Sequence, residues 1–233
     1  TAVGFQAAQN VDGGLNSVFV GFNAGGSGAV TGNNNVVVGK SAGYDLTGGA
    51  NNILIGTEAG TNVTDGEYNV AIGYGALDAA NGTTAGGVRA DKNIAIGGYT
   101  FSAETSGSDG GVAIGHGALK FQNRDNSRNT ALGYNALTNL GNGVTYGGIH
   151  NTAVGFEALK SSTSGDRHVA VGTYALDANT TGNYNTAVGR EALGANTTAD
   201  SNTAVGRNAL GVNTTGASNA AFGATALDAN TTG

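Results

Sequence analysis

Asn185-Thr186-Ala187-Val188-Gly189-Arg190-Glu191-Ala192-Leu193 runs on through Gly194-Ala195-Asn196-Thr197-Thr198 and returns to asparagine at Asn202. At its centre is a tetrad: a small or β-branched residue, usually alanine next, a large aliphatic, then glycine. The tetrad recurs with its glycine at Gly4, Gly21, Gly39, Gly56, Gly73, Gly97, Gly115, Gly133, Gly155, Gly172, Gly189, Gly206 and Gly223, thirteen copies in 233 residues. Successive spacings are 17, 18, 17, 17, 24, 18, 18, 22, 17, 17, 17 and 17. The unit is therefore 17 residues, with insertions of seven and five residues falling within 78–93 and 138–151.

Seventeen residues are too few for two helices and a turn, and no 3.6-residue apolar period is present. Each glycine is surrounded by Val, Ile, Ala, Thr and Leu, then followed by Asn, Thr, Gly and Asp clusters with turn chemistry. This predicts an all-β fold, a parallel β-solenoid (β-roll) of about 13 rungs with 17-residue coils, forming one repeat domain over 1–233. Rungs stacked about 4.8 Å apart would make a rod of roughly 60 Å.

Counting from each glycine as position 0, position −1 is always large and apolar, and position −2 is Ala in ten rungs and Phe19, Val37 or Leu54 in the others. Strand alternation sends these two columns to opposite faces, so both faces are covered. Where position −2 is large, position +4 is Gly25, Gly43 or Gly60; where it is Ala, position +4 is usually Leu, as in Leu77, Leu159 and Leu193. Close packing conserves volume, so the two columns share one space. Two apolar compartments follow, one inside the coil and one outside. The outer one predicts self-association, because a full-length apolar stripe is too large to leave exposed. The alanine column Ala71, Ala113, Ala153, Ala187 and Ala204 is assigned to this oligomer interface. Position −4 is Asn in nine rungs, including Asn35, Asn52, Asn185 and Asn202, and reads as a structural amide ladder.

Composition narrows the function classes. The chain has 43 glycines, no Pro, Cys, Met or Trp, 11 % charged residues and a net charge of −6. Without Cys there is no disulfide or thiolate metal site, and no apolar run approaches the ~18 residues of a membrane helix. The acidic balance and scattered Lys and Arg argue against nucleic acid. The absence of Met points to a processed chain or an excerpt.

The motif Asn-Thr-Ala-Val-Gly-x-x-Ala-Leu resembles the head repeats of trimeric autotransporter adhesins and related repeats of phage tail fibres, and does so along the whole chain. The resemblance implies a parallel β-roll, an intertwined or side-by-side homotrimer, and a place on a cell or virion surface. The 17-residue unit departs from the shorter adhesin repeat and adds an Asn-Thr-Thr-Gly turn at Asn179, Asn213 and Asn230. Joining Gly233 to another Thr1 would nearly restore the repeat, which suggests an end-to-end filament.

No recurrent Ser–His–Asp or paired-carboxylate arrangement is present, so no catalytic, cofactor or metal residues are assigned and no enzyme is expected. His168 takes the Asn column and His150 lies beside it one rung earlier; a two-His metal site is the sharper reading, a solvated or turn-bonded pair the plainer one. The insertions are the candidate recognition loops, carrying Arg89, Lys92, Tyr146 and His150. The leading expectation is a non-enzymatic structural or adhesive rod of an extracellular fibre, its partner itself and its outer ligand a receptor or glycan. Ice binding is the alternative, since Thr130, Thr152, Thr186 and Thr203 share a column.

Overall fold

Each tetrad becomes one short strand. The computed structural model describes residues 1–79, 90–103, 109–122, 127–143 and 148–232. The strands are β1 (Ala2–Val3), β2 (Val18–Val20), β3 (Val36–Val38), β4 (Ile53–Ile55), β5 (Val70–Ile72), β6 (Ile94–Ile96), β7 (Val112–Ile114), β8 (Thr130–Leu132), β9 (Thr152–Val154), β10 (Val169–Val171), β11 (Thr186–Val188), β12 (Thr203–Val205) and β13 (Ala220–Phe222). The protein is all-β, a parallel solenoid of 17-residue coils, with no helix among the described residues. It divides into two compact units: Thr1–Gly117 with β1 to β7, and a second comprising Ala118–Gln122 and Ser127–Gly233 with β8 to β13. In each unit consecutive strands pair in parallel and in register, tetrad on tetrad, as in Ala170↔Ala187↔Ala204.

The register follows from the glycine. Gly172 has φ +138°, and a Cβ there would sit 2.5 Å from the carbonyl oxygen of Gly189 in the next rung. Only a residue without a side chain lets the backbones stack this closely. The chain then turns twice. The position +3 amide donates back to the glycine carbonyl, as Ala192 does to Gly189 at 3.3 Å, and the +7 amide donates to the +4 carbonyl, as Asn196 does to Leu193 at 3.1 Å. Positions +2 and +4 take left-handed angles, including Glu191 (φ 56°) and Leu193 (φ 50°), and so does position −5. A buried leucine in that region costs about 1–2 kcal/mol in isolation. Rung-to-rung bonds hold it there: the Leu193 amide donates to the Ala209 carbonyl at 3.0 Å.

The core is the −2, +3 and +4 columns. Ala187, Ala192 and Leu193 have zero exposure, as do their counterparts Ala170, Ala175 and Leu176. The volume exchange between −2 and +4 is direct contact. A Cβ on Gly25 would lie 2.6 Å from the Phe19 ring, one on Gly43 would lie 3.0 Å from Leu54, and one on Gly60 would lie 2.6 Å from Leu54.

Two amide ladders complete the interior. Asn52 Oδ1 accepts the Asn69 amide at 2.9 Å, and its Nδ2 donates to the Gly66 carbonyl at 2.8 Å. Asn151, Asn185 and Asn202 repeat this pattern in the second unit. There a second column, Asn179, Asn196, Asn213 and Asn230, links amide to amide, with Asn196 Nδ2 donating to Asn179 Oδ1 at 2.9 Å. Each buried Asn thus satisfies backbone groups that the strands leave over.

Candidate functional site

The assignment of the alanine column to a chain–chain interface is corrected by burial. Ala71, Ala113, Ala153, Ala187 and Ala204 all have zero exposure within one chain, packed inside the coil, and cannot touch another molecule. The alternation runs the other way: positions −3 and −1 face out. Val18, Val36, Ile53, Ile94 and Val169 in the −3 column, and Ile72 and Leu132 in the −1 column, are exposed. Aromatic side chains border this face at +1 and +2. Phe5 stacks on Phe22, and Tyr134 stacks on Phe156, which meets Tyr174 edge-on.

Of the predicted recognition residues, Arg89 and Tyr146 lie outside the described residues. Lys92 is exposed at position −5 (φ 58°) in the first unit, its Nζ 3.9 Å from the Asp109 carboxylate. His150 occupies the same position in the second unit, exposed, with φ 57° and its amide donating to the Ser127 carbonyl at 2.8 Å. Counting five back from each glycine shows what the sequence reading missed. Arg128, His150, Arg167 and Tyr184 fill one exposed column in four consecutive rungs.

The His150–His168 metal pair is overturned. The two residues lie one position apart in the repeat and therefore on opposite sides of the wall: His150 faces out, while His168 is sealed inside at 1 % exposure. Among the described residues no three His, Asp or Glu side chains gather closely enough to hold a metal ion.

His168 stands in for asparagine in the ladder. Its Nδ1 accepts the Asn185 amide at 3.2 Å, as an Asn Oδ1 would, so the neutral ring carries its proton on Nε2, directed to the Gly182 carbonyl. Asn179 packs on the same nitrogen at 3.2 Å. Burial lowers the His168 pKa, against the opposing pull of the Gly182 hydrogen bond and the Asp166 and Asp200 carboxylates. The unfolded chain therefore takes up this proton at a higher pH than the folded one. The stability held by neutral His168 is present above about pH 6.5 and is lost as pH falls below it toward the lowered folded value. His168→Asn should restore the amide ladder and flatten that part of the profile. Thermal midpoints from pH 7.5 to 5 should fall more steeply for the natural chain than for the variant; parallel curves would mean that His168 is not sealed.

A trough of about 560 Å³ opens on another side of the second unit. Position +5 is Asp177 and Asp228 in the two bounding rungs and Gly194 and Gly211 in the two between, so the missing side chains make the hollow. Tyr174 and Glu191 border it. Burial raises the Asp177 pKa, helped by the nearby Glu157 and Glu191 carboxylates. The trough thus presents acceptors and negative charge. No protein-family model, no curated protein and no solved structure matches the chain.

Proposed function

We propose that this protein is a non-enzymatic structural and adhesive repeat domain of an extracellular fibre, such as a phage tail fibre or a bacterial surface appendage. In this reading copies associate side by side through the outward strand face, as homotrimers. The observation that supports it most is the −3/−1 face. Its −1 column is apolar and uncharged rung after rung in each unit, beside a −3 column that is mostly Val and Ile in the first unit and mostly Thr in the second, while the interior is already filled by Ala, Leu and Asn columns. A monomer gains nothing from a repeated outward apolar stripe, whereas a second copy buries it. The chain's adhesive surfaces are then those left beside the −1 column, the −3 threonines of the second unit among them.

Sedimentation of the intact chain tests this reading. The natural sequence is expected at about three times its 22.7 kDa mass. Val171→Lys with Val188→Lys, both half-buried on the outward face, should shift it to the single-chain mass with its β-rich circular dichroism retained. A natural chain that sediments as a monomer, or a double variant that assembles unchanged, would remove the reading.

A further inference from the structure

We propose that the exposed column Arg128–His150–Arg167–Tyr184 of the second unit, with the threonine hydroxyls beside it, is a binding strip for an acidic polysaccharide, a sugar chain bearing carboxylates. This deepens the adhesive part of the function proposed above and rests on it. The backbone fixes the strip. All four residues are left-handed, with φ between 45° and 58°, and each amide after the first is bonded to the rung before it: His150 to Ser127, Arg167 to Ile149, Tyr184 to Asp166. Rung spacing puts neighbours about 4.8 Å apart and the two arginines about 10 Å apart.

Arg128 and Arg167 carry permanent positive charge two rungs apart on one exposed column. Among the described residues no carboxylate forms an ion pair with Arg128, His150 or Arg167. The nearest acidic column, at position −6, is turned to the backbone. Asp166 accepts the Ile149 amide at 2.8 Å and Asp200 accepts the Asn183 amide at 2.6 Å. Arg167 is instead braced by a neutral group, donating to the Tyr184 hydroxyl at 2.8 Å with its guanidinium 5.3 Å from that ring's centroid. A ligand with carboxylates repeating at the scale of the rungs would pair with both guanidinium groups, which bind carboxylates through two parallel hydrogen bonds.

The second half of the match is polar. Thr130, Thr152 and Thr186, two residues further along the same rungs, face out half-buried, and their hydroxyls have no hydrogen-bond partner among the described residues. Sugar hydroxyls can both donate to them and accept from them. A nucleic acid is a poorer fit: the strip offers one aromatic ring, already covered by Arg167, where single strands need a series of stacking platforms.

The test uses the intact chain with three probes, polygalacturonate, neutral dextran and single-stranded DNA, measured by titration calorimetry at 50 and 200 mM salt. Polygalacturonate should bind and weaken several-fold across that salt range, and dextran should not bind. Arg128→Gln with Arg167→Gln should weaken polygalacturonate about tenfold or more, while Arg190→Gln with Arg207→Gln, which removes equal charge outside the strip, should not. Equal loss in both double variants, equal binding of dextran, or no binding of polygalacturonate would overturn the proposal, and tighter binding of DNA would replace the glycan with a nucleic acid. Sedimentation of the same samples separates the two readings: a chain that assembles but ignores polygalacturonate leaves the fibre reading standing and removes only the strip.

Discussion

Gly172→Ala is expected to cost at least about 3 kcal/mol and to break the cooperative unfolding of the second unit. Two effects add. The residue sits at φ +138°, a region L side chains rarely adopt, and its new Cβ would press on the Gly189 carbonyl oxygen at 2.5 Å and carbon at 2.6 Å. Those atoms belong to the backbone of the next rung, whose Gly189 amide is bonded to the Val171 carbonyl... no rotamer change can move them aside. Repeat stacks draw much of their stability from neighbouring-rung interfaces, so prising one rung from the next should divide a single denaturant transition into two or lower its slope. Gly194→Ala is the matched control. Its backbone is not left-handed, and its nearest atom is the Glu191 carbonyl oxygen at 3.2 Å, so a loss under about 1 kcal/mol is expected. Equal midpoints for the two variants by chemical denaturation would mean that the glycines are not stacked.

Asn185→Leu should be nearly as damaging, for a different reason. The substitution keeps the volume and adds apolar surface, yet it leaves the buried Asn202 amide without a partner and the Ala199 carbonyl with Asn196 Nδ2 alone, at 3.1 Å. The Asn202 amide loses the Oδ1 acceptor at 2.9 Å and the Ala199 carbonyl loses the Nδ2 donor at 2.8 Å. The orphaned amide costs about 1–3 kcal/mol and the hydrogen bond lost at Ala199 about 0.5–1.5, so a total of about 2–4 kcal/mol is expected. Asn185→Asp separates polarity from volume. At neutral pH its carboxylate keeps the acceptor but faces the Ala199 carbonyl with negative charge, and as pH falls the protonated acid regains a donor. Its deficit should therefore shrink on acidification while that of the leucine variant does not. Thermal unfolding at pH 7 and pH 4.5 reads this difference; an Asn185→Leu protein as stable as the natural one would show that the amide column is ornamental.

Several interior features are legible in the residue types alone. The exchange of Phe19, Val37 and Leu54 against Gly25, Gly43 and Gly60 is a volume constraint, and volume is written in residue types. The asparagine column was equally readable, because a polar residue recurring among apolar ones needs fixed partners. His168 looked like an exception in that column and is instead a substitute, since an imidazole offers one acceptor and one donor where an amide does. The left-handed leucines were not readable: intrinsic preference favours Gly and Asn at such angles, and only the hydrogen bonds of adjacent rungs outweigh it.

The repeat period, the tetrad and the turn chemistry between tetrads determined by themselves that this chain stacks parallel strands in coils of 17 residues. Which side of each strand faces inward was decided only by the tertiary structure. A period of two separates alternate residues onto two faces but carries no sign, and here Ala on one face and Val, Ile or Thr on the other are both compatible with burial. Closure of the coil chose, because the small alanines leave room for Leu193 and its counterparts in the interior, and the branched residues were left outside. The same choice set Arg128, His150 and Arg167 in one outward line, although they lie 17 and 22 residues apart in the chain.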